Sequence, residues 1–98
     1  MSERVMFATM KAKPGKAEDL KNAFGTMFEQ AGKEPGTLFY TLIEADEPDT
    51  FYFWEHYTDQ AAVDAHMSSD ALTALYPVLM PLLEEGTAVT GSVFRKLR

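Results

Sequence analysis

Three observations predict an α+β domain built as β-α-β-β-α-β, with one four-stranded antiparallel sheet and helices on one of its faces. Stretches of period-two alternation bracket two stretches of helical periodicity. Pro-Gly, Glu-Pro-Gly and lone Gly signals separate them. A length of 98 residues supports one hydrophobic core and not two, so residues 1–98 are expected to form a single domain.

The first strand is read over Arg4–Ala12, where Val5, Phe7 and Thr9 alternate with Met6, Ala8 and Met10. Apolar side chains on both faces imply a central or enclosed strand. Pro14-Gly15 ends it, and Ala17, Leu20, Phe24, Met27 and Ala31 then recur at helical spacing, predicting an amphipathic helix over Lys16–Lys33. Within it Gly25 costs about 1 kcal/mol in helix propensity, which points to either a close packing approach or a tolerated weakness. Glu34-Pro35-Gly36 is a stop, because a residue before proline leaves helical geometry. Thr37–Ala45 and Thr50–Tyr57 form a predicted hairpin around Asp46-Glu47-Pro48-Asp49. Thr58 or Asp59 caps a short helix over Gln60–Met67, and Ser68-Ser69-Asp70 caps a second over Ala71–Glu85, expected to kink near Tyr76 because of Pro77 and Pro81. Gly86 is read as the end of that helix and Thr87–Leu97 as the last strand. This order is the ferredoxin-like arrangement. It leaves one sheet face uncovered, yet both faces carry large apolar residues, Phe39 and Ile43 against Leu38, Tyr40 and Leu42. Pairing of two copies through the open face is the expected remedy.

Composition narrows the function. The chain is 46% hydrophobic and 24% charged, as in ordinary soluble globular proteins. A net charge of -6 makes nucleic acid and anionic membranes unfavourable partners. The opening MSERVMFATM has no basic region leading into an apolar run, and no window approaches the ~18 apolar residues of a membrane span, so a cytoplasmic location is expected. The absence of cysteine excludes disulfides, thiolate metal sites and a cysteine nucleophile.

The stretch FYFWEHYTDQAAVDAHMSSD, residues 51–70, holds both histidines. Alternation puts Phe51, Phe53, Glu55 and Tyr57 on one strand face and Tyr52, Trp54, His56 and Thr58 on the other. Glu55 is either a buried acid-base candidate with a raised pKa or a carboxylate paired with a cation or reaching solvent. His66 follows Ala62 and Val63 at helical spacing and faces the core or a cavity, as a structural or a proton-transferring histidine. His56 reads as structural or surface. No HxH or HExxH spacing supports a metal site, and GxSxG, GxGxxG and GxxxxGK[ST] are absent.

The segments KAKPGKAEDL, EPGTLFYTL, FYFWEHYTDQAAVDAHMSSD and the closing leucine-rich helix, in that order and spacing, resemble the antibiotic biosynthesis monooxygenase family over nearly the whole chain. The most specific part is Glu55, the Thr-Asp helix start, and His66 followed by Met-Ser-Ser, matching the family pattern E-x(10)-H-[LM]-x-S. The resemblance implies a dimeric α+β barrel with a pocket between sheet and helices in each subunit. Its members differ in chemistry. The haem-degrading branch uses an asparagine, a tryptophan and a histidine where this chain holds Ala8, His66 and Tyr76, which argues against it. A branch that isomerises a phosphorylated ketose needs a basic cluster beyond scattered residues such as Lys11 and Arg95. The expected activity is then a monooxygenase without cofactor that oxidises a small phenol, hydroquinone or polyketide-like aromatic with O2. His66 would be the proton acceptor, Glu55 would orient it or hold substrate, and Phe39, Tyr52, Trp54 and Tyr76 would be pocket walls. Trp54 and Glu55 point to opposite faces and share a cavity only if the sheet bulges or the cavity rounds an edge. The alternatives are a dimeric ligand-binding or structural protein of the same fold without turnover, and an isomerase of a small phosphorylated ketose.

Overall fold

The computed structural model describes residues 2–98. Strand β1 (Arg4–Ala12) is interior, as its two apolar faces require, with β3 (Thr50–Tyr57) on one side and β4 (Leu83–Ser92) on the other. With β2 (Thr37–Glu44) at the far edge, the order is β2-β3-β1-β4 and every pairing is antiparallel. Helices α1 (Ala17–Gly25), α2 (Met27–Gly32), α3 (Gln60–Met67) and α4 (Asp70–Leu79) complete the ferredoxin-like α+β fold. Among the described residues no helix is long and apolar enough to cross a membrane.

The single helix expected over Lys16–Lys33 is two helices. The break falls at Thr26, whose hydroxyl donates to the Ala23 carbonyl (2.8 Å) and whose amide bonds the same carbonyl at 3.2 Å, an internal bonding that competes with a regular helix. Gly25 ends α1 in open space, so no close approach requires it. The last strand begins earlier than Thr87 and ends before Leu97. Pro81 stops helical continuation, and the Lys13 amide donates to the Leu82 carbonyl (2.9 Å), drawing the chain into the sheet by Leu83. Gly86 therefore lies inside β4 and does not terminate a helix; a Cβ there would stand 2.8 Å from Met10 Sδ. Helix α4 runs through Pro77 and ends two residues later.

The core lies between sheet and helices. Ala8, Phe51 and Phe53 meet Leu20, Phe24 and Met27 from α1 and α2, and Leu72, Leu75 and Leu79 from α4. The rings of Phe24 and Phe53 meet edge to face at 5.0 Å. A smaller cluster of Met6, Tyr57 and Val63 seats α3. The other sheet face is bare: Phe39, Trp54 and Val89 stay exposed there, and Phe7 packs against Tyr52 with 5.2 Å between centroids.

Candidate functional site

Four short-range features bring one polar cluster to the edge of the apolar core. Alternation in β3 turns Glu55 toward the helices, beside Phe53 and Tyr57. Asp59 caps α3 by accepting from the Ala62 amide (2.9 Å), which starts the helix so that His66 falls in its last turn, on the face carrying Val63. The Glu34-Pro35-Gly36 turn ends α2 and lies against α3. A Cβ on Gly36 would stand 2.5 Å from the Ala62 Cβ, so only glycine permits this approach. Lastly, the β2–β3 pairing steps from Thr37↔Tyr57 to Phe39↔His56, which leaves Leu38 as a bulge. The bulge turns Tyr40 to the helix side and Phe39 to the bare face.

His66 is 2% and Glu55 5% exposed. The His66 ring sits between two carboxylates: Nδ1 lies 2.8 Å from Glu34 Oε1, and Nε2 lies 3.7 Å from Glu55 Oε1. The Tyr57 hydroxyl donates to Glu55 Oε1. Glu34 also accepts from Thr37 Oγ1 (2.8 Å) and Gln30 Nε2 (2.9 Å). The rings of Tyr40 and Tyr57 flank the imidazole at 5.3 and 5.6 Å between centroids.

The two carboxyls titrate in opposite directions. Burial pushes Glu55 up and Glu34 adds repulsion, against the Tyr57 hydrogen bond and the His66 charge, and the net effect is a raised pKa. Burial also pushes Glu34 up, but hydrogen bonds from Gln30, His66 and Thr37 outweigh it and hold the carboxyl below its ordinary value. The phenols of Tyr40 and Tyr57 are pushed far above their usual range, by burial first and by the Glu55 carboxylate. Both remain neutral. Two phenols that keep their protons, one ionised carboxylate, one reluctant carboxyl and an imidazole form a cluster able to accept and hold a proton.

Glu55 and His66 line a cavity of about 130 Å³ between sheet and helices. Its other walls are apolar apart from Tyr40 and Tyr76, and include Met6, Phe53 and Leu75. Tyr76 both lines the cavity and remains 44% exposed, which marks the mouth.

Of the residues expected from sequence, His66, Glu55 and Tyr76 come together here. Phe39, Tyr52 and Trp54 do not: their strand positions place them on the bare face, where Phe39 and Trp54 border a different depression with His56 and Arg95. The bulge that could have joined the two faces redirects Tyr40 and leaves Trp54 where alternation puts it. His56 pairs with Glu3, which also binds Lys96, and stays apart from the cavity. Sequence reading missed Glu34, Tyr40 and Tyr57. Glu34 left one signal, a carboxylate just beyond a helix C-terminus, where the helix dipole repels it unless another partner holds it. Among the described residues no group of three or more His, Asp or Glu is arranged to hold a metal.

The antibiotic biosynthesis monooxygenase family model matches residues 4–77. The chain belongs to that family. The protein sll1783 of Synechocystis is 32% identical over 66 residues, covering 66% of this chain and 45% of the relative, so the chain spans less than half of that protein's length. Among solved structures, the SO0527 protein of Shewanella oneidensis is similar at 31% identity and a TM-score of 0.87, over 94% of this chain and 91% of that one. Rv0793 of Mycobacterium tuberculosis reaches a TM-score of 0.92 at 18% identity, over 99% and 100%. PA3566 of Pseudomonas aeruginosa reaches 0.88 at 23% identity, over 97% of each chain. The last two likenesses show the fold alone.

Proposed function

We propose that the protein is a monooxygenase that works without a cofactor, oxidising a small phenol or hydroquinone with O2 in the cavity between sheet and helices. The observation that carries this reading is the pairing of an apolar cavity with a buried base: His66 and Glu55 at the polar end of an otherwise oily chamber. His66 accepts the phenolic proton. The resulting anion, in a low-dielectric chamber that excludes water, is a strong one-electron donor to O2. Recombination of the radical pair forms the C–O bond of a ring peroxide, which takes the proton back from His66. Loss of the ring C–H proton then breaks the O–O bond and releases water. One hydroquinone and one O2 give one hydroxyquinone and one water. The substrate's four electrons reduce both oxygen atoms, so no external reductant enters.

The cavity size favours a small substrate. About 130 Å³ is on the order of the ~150 Å³ chamber that accepts one benzene ring in an engineered protein core. A single ring fits, whereas a fused system requires the Tyr76 mouth to widen. No lysine or arginine lines the cavity among the described residues, so a phosphorylated ketose would find no counter-charge there. We further propose that two copies pair through the bare sheet face that carries Trp54, Phe39 and Val89.

The test is turnover of a single-ring hydroquinone by the metal-free protein under ¹⁸O₂. One labelled atom in the product and one in water, at a rate above autoxidation, supports the oxygenase. Tight quinone binding with no oxygen consumption would replace it with a binding protein.

A further inference from the structure

His66 has two ring nitrogens, and only one of them can take the proton of a substrate hydroxyl in the cavity. We infer that Glu34 is the positioning residue of this site: its carboxylate holds His66 as the Nδ1–H tautomer, so that Nε2 is the basic nitrogen presented to Glu55 and the cavity. The inference rests on the proposed function for its catalytic meaning, but not for the tautomer itself.

The geometry is unequal on the two sides of the ring. Nδ1 is in hydrogen-bond contact with Glu34 at 2.8 Å, whereas Nε2 stands 3.7 Å from Glu55, too far for a direct bond. A neutral imidazole has one N–H to place, and placing it on Nδ1 satisfies the only close acceptor among the described residues. Glu34 is itself anchored. Thr37 and Gln30 donate to it, and the turn that carries it is pressed against α3 at Gly36, so the acceptor cannot swing away from the ring. Glu34 does not line the cavity, while His66 and Glu55 do. It acts on the imidazole from behind, as the carboxylate of a hydrolytic triad does. The titratable groups facing the ring are Glu34 from the α2–β2 turn, Tyr40 from β2, and Glu55 and Tyr57 from β3. Glu34 is the one in close contact with a ring nitrogen.

A substrate hydroxyl entering the cavity then meets a lone pair on Nε2. As His66 takes the proton, the imidazolium forms between two carboxyl groups, and Glu34 stabilises it through the Nδ1–H bond. Without Glu34 the ring can adopt the Nε2–H tautomer that free histidine favours, which presents a donor where an acceptor is required.

The experiment is ¹⁵N NMR of the imidazole at neutral pH, with His56 assigned by a His56→Asn variant, followed by pH profiles of kcat/KM for hydroquinone oxidation. The inference predicts a protonated Nδ1 and an unprotonated Nε2 in the unaltered protein. In Glu34→Gln the Nε2–H form should appear, turnover should fall about 10²-fold, and the acidic limb of the profile should move to lower pH. Thr37→Val removes one donor to Glu34 without touching the ring, and should give a smaller change in the same direction. A His66 found with its proton on Nε2 in the unaltered protein overturns the inference, whether or not Glu34→Gln folds. The predicted tautomer in a protein that consumes no oxygen supports Glu34 as the tautomer-setting residue and removes the oxygenase reading alone.

Discussion

Glu55 is buried beside Phe53 and Tyr57, where water that would solvate its charge is excluded, and its folded-state pKa is raised by that burial. The folded chain thus holds this proton more tightly than the unfolded chain does. The stabilisation is complete below about pH 4.5, and is lost as pH rises through the raised value. Glu34 runs the other way: its lowered pKa gives stability that is present above about pH 4.5 and lost as pH falls through the folded value. Replacing Glu55 by Gln keeps an acceptor for Tyr57 but removes the charge. The variant should therefore be more stable than the parent at pH 8, with an advantage that shrinks toward pH 4. Urea midpoints measured across that range check it, and a constant difference would contradict the assigned burial cost. The residue scale was only half legible in the sequence. Glu55 and His66 stood out because alternation and helical spacing aim them inward, whereas Tyr40 was passed over because alternation sets it opposite Phe39 without saying which of the two faces the helices cover.

Among the elements, α3 is the one the site depends on. It has eight residues, so little of its stability is intrinsic, and it is held by its Asp59 cap and by the turn pressed against Ala62. A methyl group at Gly36 must push the turn and α3 apart. Gly36→Ala should cost about 1–3 kcal/mol and weaken the Glu34–His66 contact, so thermal unfolding and the His66 ¹⁵N signals should change together. An unaltered melting temperature would show that the turn yields without strain. Strand β1 and the hairpin were legible because period-two alternation reports burial directly. The start of β4 was not. Leu82, Leu83, Glu84 and Glu85 carry no alternation, and their strand geometry comes from pairing with Lys11 and Ala12, a contact far away in sequence. The break at Thr26 was obscured because the apolar spacing continues across it, from Phe24 to Met27 and Ala31, and only the hydrogen bonding changes.

At the scale of the molecule, the two sheet faces divide the work. The covered face holds the core and the cavity, and the bare face holds the aromatic residues Phe7, Phe39, Tyr52 and Trp54. Both faces were legible as apolar from sequence; which of them carries the cavity was not, because alternation separates faces without saying where the helices settle. A charge at the centre of the bare face should prevent pairing without entering the cavity. Trp54→Glu should give monomers by light scattering where the parent gives dimers, and a parent that is already monomeric would remove the pairing proposal. Chemistry on the covered face is tested most directly by oxygen uptake of the parent and His66→Ala proteins with a single-ring hydroquinone. Loss of a positioned base predicts a fall of about 10²- to 10⁴-fold toward the autoxidation rate. Uptake by His66→Ala equal to that of the parent would contradict the account, and would move the chemistry away from the cavity that His66 and Glu55 close.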